Sequence, residues 1–83
     1  MKLLDFNIAD LYMLTLLRDG LTVTQCAKVM HLTQPAVSQR MKKFTLLAIC
    51  LHERKGRTVT LNEAGLKLAE ASAQALALLA KAI

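Results

Sequence analysis

The stretch Ala27-Lys28-Val29-Met30-His31-Leu32-Thr33-Gln34-Pro35-Ala36-Val37-Ser38-Gln39-Arg40 constrains the fold more than any other part of the chain. Proline is tolerated in a helix only in the first turn, where its missing N–H would be unpaired anyway and its φ is already helical. Pro35 therefore sets a helix start, and Thr33 is the residue type that caps one. Upstream, Thr22-Val23-Thr24-Gln25 has the spacing of a capping box and opens another helix, in which Cys26, Ala27 and Met30 face inward. Only Met30-His31-Leu32 remains between the two, which is enough for a tight turn with Leu32 as its apolar plug. Ala27 is small where the two helices must cross closely. Two short helices at a tight turn are expected.

The flanking sequence extends the plan. Asn7 caps a first helix, with Asp10 three residues on as its capping-box partner. Ile8, Leu11, Tyr12, Leu14 and Leu17 give that helix a broad apolar face, and Gly20 sits where a left-handed stop is expected. In the third helix Val37, Met41, Phe44 and Ala48 follow the spacing of a buried stripe, while Pro35, Ser38, Gln39, Lys42 and Lys43 occupy the opposite face. Leu46 to Leu51 is continuously apolar, so periodicity does not fix where this helix ends. Gly56 then supplies a turn, and Thr58-Val59-Thr60-Leu61 alternates as a strand does. A short hairpin from about Leu51 to Leu61 is expected, with a basic tip. Asn62 caps a last helix that runs to the C-terminus as a rod of about 30 Å.

The totals narrow the class. The 83 residues make one small domain, 54% hydrophobic but nearly without aromatics, so aliphatic and alanine packing must form its core. A core of this size is marginal alone and favours a partner surface. The net charge of +5 favours an anionic partner. A basic membrane-surface helix would need Trp or Phe at the interface, and aromatics are nearly absent here. Asp5 and Asn7 interrupt any signal-like stretch, and the apolar segment between Lys67, Glu70 and Lys81 is too short to span a bilayer. A cytoplasmic location without membrane contact is expected. Cys26 and Cys50 fit no metal-ligand spacing and read as buried, reduced thiols. No Gly-rich phosphate loop, paired carboxylates or nucleophile–base arrangement is present, and His31 and His52 are isolated. The chain is not expected to be an enzyme, to hold a cofactor or metal, or to contain a small-molecule effector site.

The basic residues are not spread evenly. Arg40, Lys42, Lys43, Arg54, Lys55 and Arg57 place six of the eleven Lys and Arg residues in the third helix and the hairpin, against Glu53 alone. A helix and a hairpin tip of like charge are expected where both touch one polyanion. Gln, Ser, Arg and Lys on such a helix hydrogen-bond base edges or phosphates. The competing reading is a helix pair with a merely solvated polar face.

Two stretches carry a more specific signal. Cys26-Ala27-Lys28-Val29-Met30-His31-Leu32-Thr33-Gln34-Pro35-Ala36-Val37-Ser38 resembles the helix-turn-helix of LysR-type transcriptional regulators. Glu53-Arg54-Lys55-Gly56-Arg57-Thr58-Val59-Thr60-Leu61-Asn62-Glu63-Ala64-Gly65 resembles that family's wing and the start of its linker helix. The resemblance implies a mainly α, winged helix-turn-helix fold, with three helices, a two-stranded wing and a long linker helix that pairs two domains. It implies that Gln34, Pro35, Ala36, Ser38 and Gln39 lie at or near the groove and that Arg57 reaches DNA from the wing. Two departures stand out. Phe44-Thr45-Leu46-Leu47-Ala48-Ile49-Cys50 is apolar and about one residue shorter than the family's acidic turn with its glycine. Leu51-His52 stands where the family has Leu-Phe. The ligand-binding domain that follows in LysR-type regulators is not among these residues.

The expected organisation is a DNA-binding domain over residues 1–61 and a linker and dimerisation helix over 62–83. Thr33, Lys42, Lys43 and Lys55 are expected on phosphates of double-stranded DNA, Gln34, Ser38 and Gln39 on bases, with Pro35 and Ala36 allowing close approach and Arg57 entering from the wing. In the last helix Leu68, Ser72, Ala75, Leu79 and Ala82 form one apolar seam, and Ala69, Ala73, Leu76, Ala80 and Ile83 a second. One seam can cover the domain while the other meets a twin, so Leu68, Ala69, Ser72, Ala75, Leu76, Leu79 and Ile83 are candidate contacts of a homodimer that regulates transcription by sequence-specific binding. The alternative is a protein-interaction module whose last helix pairs with a longer regulator and alters that partner's DNA binding.

Overall fold

The computed structural model describes residues 5–48, 50–52 and 59–83. They form α1 (Ile8–Arg18), α2 (Val23–Met30), α3 (Gln34–Leu46), β1 (Cys50–His52), β2 (Val59–Leu61) and α4 (Glu63–Ala82). Each helix starts where its cap is. Asn7 Oδ1 accepts from the Asp10 N–H at 2.9 Å, and Asp10 Oδ2 accepts from the Asn7 N–H at 3.0 Å. Thr22 and Gln25 exchange the same pair of bonds at the head of α2. Thr33 Oγ1 accepts from the Ala36 N–H at 3.3 Å, and Asn62 Oδ1 from the Gly65 N–H at 2.9 Å. Each cap satisfies an amide that the helix itself leaves unpaired.

The first two helix ends follow one hydrogen-bond scheme with different residues. After α1, the Gly20 N–H donates to Leu17 O and the Leu21 N–H to Leu16 O, both at 3.1 Å, with Gly20 at φ +92°. After α2, the His31 N–H donates to Lys28 O and the Leu32 N–H to Ala27 O, with His31 at φ +55°. Both are the paired reverse bonds that close a helix through one left-handed residue. The tight turn between α2 and α3 is thus a helix stop at His31 followed directly by the Thr33 cap, with Leu32 partly buried against the core.

The third helix ends earlier than its apolar pattern suggests. Helical geometry stops at Leu46, and Ala48 adopts φ +55° and lies exposed, so it is not the last member of the buried stripe. Its N–H donates to Thr45 O at 3.0 Å, and its carbonyl accepts from the Asn62 side-chain amide. The cap of α4 thereby clasps the turn after α3.

β1 and β2 pair antiparallel in the register Cys50–Leu61, Leu51–Thr60 and His52–Val59, which is the base of the expected wing. Met13, Leu14, Leu17, Cys26, Ala27, Val37, Met41, Phe44, Leu61 and Ala69 form one core to which every helix contributes. Cys26 is buried as expected, and burial pushes its thiol up to about 11. The side chain of Cys50 lies outside the described residues.

The expected division of α4 into two long seams needs correction. Gly65, Ala69 and Ser72 are buried in this chain, chiefly against α1, so the first half of α4 completes the same core as residues before 62. Ala69 and Ser72 are therefore already covered and are not free to meet a twin. The Ser72 hydroxyl is satisfied within the helix, donating to Leu68 O at 2.7 Å. Arg18 Nη1 ties α1 to Glu70 at 2.9 Å on the surface. Beyond Leu76 the rod projects from the domain, leaving Leu78 68%, Leu79 48% and Ile83 fully exposed.

Candidate nucleic-acid interface

The outward side of α3 is assembled by its own periodicity. Val37, Met41 and Phe44 point into the core, which turns Gln34, Pro35, Ser38, Gln39 and Lys42 to solvent. Thr33 is exposed at the head of the helix, and Ala36 is half-buried. The first turn of α3 holds no acidic residue, so the positive end of its dipole is not neutralised locally. No Asp or Glu occurs between Asp19 and Glu53. The α2–α3 unit thus carries Lys28, Arg40, Lys42 and Lys43 with no carboxylate of its own. Of the expected contacts, the structure brings Thr33, Gln34, Pro35, Ala36, Ser38, Gln39 and Lys42 to one surface. Lys55 and Arg57 lie outside the described residues, as do Glu53, Arg54 and Gly56.

Lys43 behaves differently from the expectation. Its Nζ donates to Asp10 Oδ2 at 2.6 Å, and Arg40 Nη1 donates to Asp10 Oδ1 at the same distance. Arg40 Nη1 also reaches Asn7 Oδ1 at 3.1 Å. The Asp10 side chain is 0% exposed, against 20% for Arg40 and 35% for Lys43. Two cations of α3 are therefore drawn to its flank by a carboxylate from α1. Burial alone would push the Asp10 carboxyl up. The hydrogen bonds from Lys43, the Asn7 N–H and Arg40, with the Lys43 charge, outweigh it and hold the group below the usual carboxylate value. Asp10 was legible as a cap, but its pairing with residues thirty positions away has no local sequence signal.

A helix-turn-helix followed by a two-stranded wing and a long helix defines a winged helix-turn-helix protein. The solved structures agree on the fold. MepR, a transcription regulator of the Staphylococcus aureus multidrug efflux pump MepA, superposes with a TM-score of 0.74 at 22% identity, over 95% of this chain and 64% of that one. A MepR point mutant bound to an oligodeoxyribonucleotide superposes with a TM-score of 0.70 at 23% identity, over the same shares of the two chains.

The chain belongs to the lysR family of bacterial regulatory helix-turn-helix proteins, whose model matches residues 8–66. Over 50 residues it is 44% identical to the HTH-type transcriptional activator CmpR of Synechocystis sp.. Those residues are 59% of this chain and 16% of that relative, so the chain spans well under a fifth of the relative's length. Among the described residues no helix is long and apolar enough to cross a membrane.

Proposed function

We propose that this chain binds duplex DNA sequence-specifically as a homodimer and thereby regulates transcription in the cytoplasm. The observation that carries the reading is the outward face of α3. Its capped N-terminus, free of acidic residues, and the exposed Gln34, Ser38, Gln39 and Lys42 share one surface, and the α2–α3 unit has no carboxylate to repel phosphate. Gln34, Ser38 and Gln39 have the donors and acceptors that read base edges in a major groove. Thr33 and Lys42 suit phosphates, and Pro35 and Ala36 keep the approach close. Lys55 and Arg57 would extend the contact from the wing.

The exposed second half of α4 supports the homodimer. Leu76, Leu79 and Ile83, with Leu68 and Ala75 at the edge of the intramolecular contact, give an apolar strip beyond the domain. Pairing two such strips would remove it from water and set two α3 helices at a fixed separation, as binding to two half-sites requires. The test is fluorescence anisotropy with a labelled random-sequence duplex at low salt, alongside light scattering of the free protein. Salt-sensitive binding by a dimer is expected. Absence of binding at low salt overturns the DNA reading, and a monomer mass at micromolar concentration overturns the dimer.

A further inference from the structure

The Asp10–Arg40–Lys43 cluster is not needed to build the groove-facing surface, yet it occupies two of the four basic residues in the α2–α3 unit. Arg40 and Lys43 sit on α3 beside Lys42, and carboxylate and phosphate compete for the same donors. The carboxylate has the advantage of being already in place: Asp10 is wholly buried, fixed by the Asn7 N–H, and 2.6 Å from each cation. The guanidinium is gripped through Nη1 alone, with its Nε buried and without a partner among the described residues. That is a one-edged hold rather than the two-pronged fork that guanidinium and carboxylate can make.

We propose that Asp10 is a positioning residue that withholds Arg40 and Lys43 from the DNA backbone, so that Lys42 alone among these three cations contacts phosphate. The inference rests on the DNA-binding reading above. Its consequence concerns selectivity. Phosphate contacts raise affinity for every sequence alike, whereas base contacts discriminate. A buried carboxylate that removes two phosphate-seeking side chains lowers non-specific affinity and leaves Gln34, Ser38 and Gln39 untouched. It also bridges α1 to α3.

The experiment is the slope of log affinity against log salt for a random duplex, measured on the parent, Lys42→Met, Lys43→Met, Asp10→Asn and the Asp10→Asn/Lys43→Met double variant. Each phosphate contact contributes a slope of roughly −0.9 per protomer, or about 3.5-fold in affinity over a fourfold change in salt. Lys42→Met is expected to lower the slope by one such contact and Lys43→Met to leave it unchanged. Asp10→Asn is expected to steepen the slope by one to two contacts, and the double variant to give back one of them. A role confined to holding the fold together would not steepen a salt slope. The inference is overturned if Lys43→Met lowers the slope as Lys42→Met does, or if folded Asp10→Asn keeps the parental slope. Should Asp10→Asn not fold, as circular dichroism reveals, Lys43→Met in the otherwise intact protein decides the point alone. A parent that binds no duplex at low salt overturns the DNA reading and this inference together, whereas a binding parent with the slopes just named overturns only this inference.

Discussion

Left-handed backbone at three helix ends makes a paired prediction about stability. Ala48 and His31 each hold φ +55°, and Gly20 holds φ +92°. A side chain with a Cβ costs roughly 1–2 kcal/mol in that region, whereas glycine reaches it freely. Glycine loses more chain entropy on folding, by roughly 0.5–1 kcal/mol relative to alanine. The net gain expected for Ala48→Gly is about 0.5–1 kcal/mol, since the Asn62 amide bonds the Ala48 carbonyl and survives the change. Gly20→Ala has the opposite sign and a similar size. A Cβ built there meets nothing within 4 Å, so the penalty is backbone alone. For 83 residues the unfolding entropy is about 170 cal/mol/K near 60 °C, so 1 kcal/mol moves Tm by about 6 °C. Ala48→Gly should raise Tm by about 3–6 °C and Gly20→Ala should lower it by about as much. Thermal unfolding followed by circular dichroism at one fixed protein concentration reads both, because a dimer's Tm depends on concentration. A fall in Tm for Ala48→Gly, or no fall for Gly20→Ala, would refute the assignment of these turns.

Three further outcomes follow from individual contacts. The Asp10 carboxyl titrates lower folded than unfolded, so its stabilisation is complete above the unfolded value of about 4 and disappears as pH falls through the folded value. Asp10→Ala should cost about 3 kcal/mol at pH 7, the low end for a broken buried pair because Lys43 can turn to water, and urea unfolding from pH 7 to pH 2.5 should find that difference shrinking below about pH 4. Cys26, buried with its thiol raised to about 11, should not react with an aromatic disulfide reagent at pH 8 in native Cys50→Ser protein, and should react at once in denaturant. Leu79→Glu should convert a light-scattering dimer to monomer, by placing an unpaired carboxylate against the twin's apolar strip, while leaving the monomer's helix content intact because Leu79 is half exposed in the single chain.

The features readable from the sequence were those encoded within a few residues. All four N-caps, the Gly20 stop and the α2–α3 turn depend on residues three or four apart, and each forms where its pattern predicted. The end of α3 was not readable, because Leu46 to Leu51 is apolar throughout and periodicity cannot mark a stop inside such a run. The stop is set instead by a left-handed residue at Ala48 and by a side-chain clasp from Asn62, fourteen positions on. Lys43 read as a groove-side cation because it shares a helix face with Lys42, and only the fold brings Asp10 beside it. In α4, the many alanines left two candidate seams open in the sequence. Packing against α1 selects Gly65, Ala69 and Ser72, and this choice depends on tertiary shape rather than on composition.

Selection from a randomised duplex pool tests the central claim most directly, with parent and Gln39→Ala protein run side by side. The outward face of α3 predicts that the parent enriches a defined sequence. Gln39→Ala should keep most of that sequence while relaxing one or two positions, at about 1–3 kcal/mol per lost two-pronged base contact. Failure of the parent to enrich any sequence, or identical profiles from the two proteins, would contradict the assignment of base reading to this face.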